Sequence, residues 1–113
     1  METTTKSEYI GKATSDQIAV WKNKHGNVFA FEQADKKDEN KVHLTYVKKP
    51  SLPQVQNAFR FLNEDPIKSG LMLLSDCRLG GSEVTVNDDE YKLGIANKMI
   101  GLFKPVVADL KEV

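Results

Sequence analysis

The stretch NVFAFEQADKKDENKVHLTYVKKP, Asn27 to Pro50, decides the architecture of this chain. In its first part Val28, Ala30 and Glu32 alternate with Phe29 and Phe31. After a charged run, Val42, Leu44 and Tyr46 alternate with His43, Thr45 and Val47. A two-residue period sends successive side chains to opposite faces, and β-branched and aromatic residues favour that extended backbone. The expectation is an antiparallel hairpin with ADKKDENK as its exposed loop. Pro50 ends the second strand because it has no amide for another ladder bond. A two-stranded hairpin is marginal in water, so helices or a partner must cover it.

The flanking segments supply helices. In TSDQIAVWKNKHG, Thr14 and Gln17 form a capping box, Ile18, Trp21 and His25 recur at helical spacing, and Gly26 stops the run. Beyond the hairpin, Ser51 opens a second helix in which Pro53 is tolerated in the first turn, with Val55, Phe59 and Leu62 as its stripe. NEDP breaks that helix. Asp65 then caps a third, from Pro66 to about Cys77. Asn87 or Asp88 caps a fourth, with Asp89 and Glu90 at its positive end and Tyr91, Ile95, Met99 and Leu102 along one side. Pro105 interrupts it, and VVADLKEV is either a short final helix or a frayed end. The resulting fold class is α+β: an antiparallel β-hairpin packed with about four helices, helices dominating the C-terminal half. Residues 13–113 form one domain, and residues 1–12 a flexible tail with Tyr9 and Ile10 as anchors.

Composition narrows the function. The 113 residues suit a single core, and 16 basic residues balance 16 acidic ones. Without a basic surplus the chain is not expected to bind nucleic acid, and zero net charge removes one barrier to a homo-oligomer. One cysteine forms no internal disulfide, and no apolar run approaches the ~18 residues of a membrane span, so a cytoplasmic protein with no membrane partner is expected.

Candidate chemistry is sparse. SDCRLGG, Ser75 to Gly81, joins the lone Cys77 to Arg78 and a glycine pair. Cys77 continues an apolar helix face, Arg78 suits a helix C-terminus, and Gly80 and Gly81 let the chain turn out of the helix. The stretch therefore reads as a helix stop. His25 and His43 lie on other elements, so no local spacing pairs a base with the thiol. Two histidines 18 residues apart and one distant cysteine make no recognised zinc set, and VNDDE lacks the oxygen ligands of a calcium loop. No catalytic, cofactor or metal residue is expected. The apolar inventory is richer: Trp21, Phe29, Phe31, Tyr91, Ile95, Met99 and Leu102 are candidate partner-binding residues, with burial in the domain's own core as the equal alternative.

Four segments carry a family resemblance: WKNKHGNVFAFE, YVKKP, DPIKSGLMLLSDCRLGG and DDEYKLGIANKMIGLF. Across Asp16 to Phe103 the pattern resembles small proteins from phages and prophages of gut Bacteroidetes, which are similar to tail assembly chaperones of long-tailed phages. The resemblance implies a non-enzymatic protein that binds tape-measure or tail tube protein in the bacterial cytoplasm and is absent from the mature virion. A structural tail or head-to-tail connector component is the alternative. Arg78 departs from the pattern, which has an aromatic residue between Cys77 and Leu79.

Overall fold

The structure, a computed structural model, describes residues 8–113. The central element is the second hairpin strand. Strands β2 (Val28–Ala34) and β3 (Lys41–Lys48) pair antiparallel, from Val28 opposite Lys48 to Ala34 opposite Val42. The predicted hairpin is therefore present, but it sits inside a four-stranded sheet. Strand β1 (Glu8–Ile10) runs parallel to the start of β3, with Ile10 opposite His43. Strand β4 (Arg78–Gly81) runs antiparallel to its second half, with Thr45 opposite Gly81 and Val47 opposite Arg78. Because β2 occupies one edge of β3 along its length, β1 and β4 share the other edge end to end. His43 to Val47 are consequently all buried.

Two expectations are corrected here. Of the tail expected over residues 1–12, residues 1–7 lie outside the described residues, and Glu8–Ile10 is a strand. SDCRLGG does end a helix at Cys77, but the chain then enters β4 rather than a loop. Glycine is a poor strand former in general. At Gly81, φ 124°, it is required by close approach, since a side chain there would collide with the Leu44 carbonyl; a Cβ on Gly80 would lie 3.1 Å from the Trp21 ring and press on it.

The helices lie on both faces of the sheet. Helix α1 (Ser15–His25) begins where Thr14 Oγ1 accepts from the Gln17 amide and ends at Gly26, φ 82°. It sets Trp21 against Tyr46, ring centroids 5.5 Å apart. On the opposite face lie α2 (Leu52–Phe59), α3 (Pro66–Cys77), the single turn α4 (Val84–Asn87), which the sequence pattern did not predict, and α5 (Asp89–Met99). Asp65 Oδ1 caps α3 at the Lys68 amide and Asp88 Oδ1 caps α5 at the Glu90 amide. Val47, Ala58, Leu73, Leu74, Cys77, Ile95 and Met99 form the core between this layer and β3. Gly70 lets α3 and α5 touch backbone to backbone: a Cβ there would lie 2.5 Å from the Ala96 carbonyl oxygen. After α5 a 3-10 turn spans Ile100–Leu102, and residues 104–113 are exposed and carry no regular structure. Among the described residues no helix is long and apolar enough to cross a membrane.

Candidate functional site

Two features compete as the site. The first is a polar chain through the edge of the core. Alternation along β3 sends His43 and Thr45 inward with Val47, and a buried imidazole needs partners for both nitrogens. The loop after β2 supplies one. Asp35 accepts the amides of Lys37 and Asp38 with Oδ2, each at 3.0 Å, which leaves Oδ1 to accept from His43 Nε2 at 2.8 Å. The exit of β4 supplies the other: Ser82 Oγ lies 2.7 Å from His43 Nδ1. The carboxylate only accepts, so Nε2 carries a proton; in the neutral imidazole Nδ1 then accepts and the Ser82 hydroxyl donates. The His43 bond, and after it the Lys37 amide, hold the Asp35 carboxyl down at about 2. Tyr91 closes the ring's edge at 5.2 Å.

The serine, histidine and aspartate of this chain have the hydrogen-bond order of a hydrolase triad, with the two ring nitrogens exchanged. Access separates it from one. Ser82 is 4% exposed and His43 5% exposed, and Ser82 Oγ also accepts, at 3.4 Å, from the Val84 amide. A nucleophile must meet its substrate, and neither residue lines the cleft between α3, α4 and α5 or the smaller one beside Gln33 and Tyr91. What the chain does is tie the β2–β3 loop, β3 and the entry to α4 together. Beside it Thr45 Oγ1 donates to Thr85 Oγ1 at 3.3 Å, and Thr85 Oγ1 donates to the Ser82 carbonyl at 3.1 Å.

The second feature is open to solvent. A cleft of about 470 Å³ lies between α3, α4 and α5. Leu71, Leu74 and Val86 give it an apolar floor, and Arg78, Asp89 and Lys92 stand around it. Along α3 the lining residues 71, 74 and 75 recur at helical spacing and form one face, and Arg78 follows them at the start of β4. Arg78 is held rigidly: Nε donates to Thr85 Oγ1 at 3.1 Å, and Nη2 to the carbonyls of Ser82 at 3.1 Å and Gly81 at 3.4 Å. Among the described residues no carboxylate lies within ion-pair distance of it, whereas Lys92 is 3.7 Å from Asp89. The cleft thus joins apolar surface to a fixed cation.

The residues singled out from the sequence divide. Tyr91, Ile95 and Met99 are buried in the domain's own core, and Phe31 and Leu102 pack against it. Tyr91, Ile95 and Met99 face inward because α5 covers β3 and α3, whereas Phe31 on β2 and Leu102 beyond α5 keep part of their surface exposed. Trp21 is half-buried over Tyr46 and Gly80 on the other sheet face, and Phe29 stays 36% exposed. Cys77 is fully buried, its thiol pushed up by that burial, and Sγ points to Gln54 Oε1 at 3.7 Å rather than to a histidine. Among the described residues no group of three or more His, Cys, Asp or Glu side chains is placed to hold a metal ion. The cleft itself was missed. Its only trace in the sequence is that Arg78 follows Leu71 and Leu74 at helical spacing, and the wall supplied by α4 has no periodic signal.

No family model, curated protein or solved structure matches the chain.

Proposed function

We propose that this protein is a non-enzymatic assembly chaperone of the phage-tail type, which holds a helical segment of the tape-measure or tail tube protein while the tail is built. The observation that carries this reading is the cleft between α3 and α5: apolar floor, one continuous helical wall and flanking charges. A groove between two helices suits a third helix presenting anchors at i, i+4 and i+7, and the charges set its direction. The resemblance of Asp16 to Phe103 to small phage proteins supplies the identity of the partner. The protein then acts in the host cytoplasm, independently of nucleic acid and membrane, and leaves before the virion is complete.

Co-expression with the tape-measure protein of the same phage or prophage tests this. Soluble yield of the tape-measure protein should rise and the two should co-purify. Val86→Asp, which places a charge in the cleft at a 44% exposed position, should abolish capture while leaving the fold intact. No gain in solubility and no complex rejects the assignment. Stoichiometric recovery of the chain from purified virions would make it a structural tail or connector component instead.

A further inference from the structure

Strand β2 has β3 on one side only, and the register fixes which backbone groups it presents on the other. Asp35 and Lys41 follow Ala34 and Val42 in that register, and the Asp35 amide donates to the Lys41 carbonyl at 2.8 Å. Bonded and non-bonded positions alternate in an antiparallel pair, so Gln33, Phe31 and Phe29 also turn their amides and carbonyls towards β3. Val28, Ala30, Glu32 and Ala34 turn theirs away from it. The far side of β3 obeys the same alternation: the carbonyl of Leu44, the residue opposite Glu32, accepts from the Ser82 amide there. An open edge is a template for another strand, and folded proteins ordinarily blunt it with proline, lysine, a bulge or brevity. Strands β1 and β4 are only three and four residues long. Strand β2 has seven, VFAFEQA, without proline or lysine, and pairs with β3 one residue to one throughout. Among the described residues no other strand borders it.

We infer that β2 pairs antiparallel with β2 of a second copy, joining the two sheets across a two-fold axis at Phe31. The strand complements itself, which selects both the occupant and the register. Its outward groups sit on even-numbered residues, so the new bonded pairs must join even positions. Centring on Phe31 sets Val28 opposite Ala34 and Ala30 opposite Glu32, and uses the whole strand. Centring on Glu32 would set two carboxylates face to face, and centring on Ala30 would leave Gln33 and Ala34 without partners. In the register at Phe31, each Glu32 faces a methyl group and stands only diagonally from its equivalent. Phe31 meets its own equivalent at a non-bonded position, where side chains come closest and aromatic pairs are favourable. Phe29, 36% exposed, falls opposite Gln33 of the second copy, whose Nε2 marks where α5 lies over the sheet by donating to the Tyr91 carbonyl. Zero net charge leaves no general repulsion between copies, and a two-fold pair is closed. The pairing uses neither the cleft nor the tape-measure protein, so it goes beyond the proposed function.

Sedimentation and light scattering of the full chain should show a dimer, and hydrogen exchange followed by NMR should locate its interface. In the dimer the amides of Ala30 and Glu32 should be protected. Dilution to the monomer should release them, while those of Phe29, Phe31 and Gln33 stay protected by β3. Exposed Ala30 tests the register. Ala30→Glu sets like charges opposite each other at two symmetry-related pairs and should raise the dimer dissociation constant roughly tenfold. Ala30→Lys sets opposite charges there and should lower it by a similar factor, and both variants should keep the circular dichroism spectrum of the wild type. A wild-type chain that stays monomeric at its highest soluble concentration overturns the inference. So does a dimer whose Ala30 and Glu32 amides exchange freely, or one that the two substitutions affect alike. Protection of those amides that appears in a monomer only when another protein is added would assign the edge to that protein and also overturn it. Both variants leave the cleft intact, so their capture of tape-measure protein reports on the proposed function separately.

Discussion

The crossing of α3 and α5 makes a prediction in which two known effects oppose each other. Gly70 lies inside α3, where alanine is ordinarily better than glycine by about 1 kcal/mol. Packing acts the other way. A Cβ on Gly70 would lie 2.5 Å from the Ala96 carbonyl oxygen, 2.9 Å from its carbon and 3.0 Å from the Ala96 Cβ. The oxygen belongs to the backbone of the neighbouring helix and cannot rotate away, so the helices must part by nearly ~1 Å to reach an ordinary carbon–oxygen contact of about 3.3 Å. Overpacking costs about 1–3 kcal/mol, and against a backbone oxygen that cannot move aside the upper part of that range, about 2–3 kcal/mol, applies. After the propensity gain, Gly70→Ala should be destabilised by about 1–2 kcal/mol, a fall in Tm of roughly 5–15 °C for a domain of this size. Gly94→Ala is the matched control within α5. Its nearest obstacle, 2.8 Å away, is Nε2 of Gln33, the free end of a side chain. Displacing it loses the 3.0 Å bond to the Tyr91 carbonyl, worth about 1 kcal/mol, which the helix propensity gain of similar size offsets. Thermal and urea unfolding followed by circular dichroism should therefore separate two identical chemical changes. A Gly70→Ala protein as stable as the wild type would refute the close crossing.

Three further outcomes follow from the polar chain and the buried thiol. The folded pKa of Asp35, about 2, lies below its ordinary 3.8, so its contribution to stability is complete above about pH 4 and is lost as pH falls towards 2. Urea unfolding across that window should show the advantage of wild type over Asp35→Asn shrinking, and a constant difference counts against the bond to His43. Ser82→Ala leaves buried His43 Nδ1 without its donor and should cost about 1–3 kcal/mol, measured by denaturant unfolding; a neutral effect would mean the serine is not that donor. Cys77, buried with its thiol pushed up, should react with a disulfide reagent only as fast as the protein opens, and immediate labelling in native buffer would contradict its place in the core.

Local signals were read well wherever they were self-contained. Caps at Thr14, Asp65 and Asp88, the stop at Gly26 and the opposite facing of His43 and Leu44 along β3 depend on residues a few positions apart, and each is found in the structure. Long-range pairings were not legible. Glu8–Ile10 looks like polar tail, and Arg78–Gly81 like a turn, because each becomes a strand only where β3 presents an open edge. The candidate site shows the same division. Asp35 looked like a solvated loop charge and Ser82 carried no signal, yet the fold brings them to the two nitrogens of one ring across 8 and 39 positions of chain.

By itself the sequence determined helices α1, α2, α3 and α5 and strands β2 and β3, since these follow from side-chain periodicity and from caps satisfied within a turn. Only the tertiary structure decided that the stripe of Tyr91, Ile95 and Met99 is spent on the core, and that the surface left over is the cleft beside Arg78. The physical reason is that an amphipathic face specifies burial but not what buries it. That choice is made when all the faces are packed together and the backbones approach as closely as Gly70 and Gly81 allow.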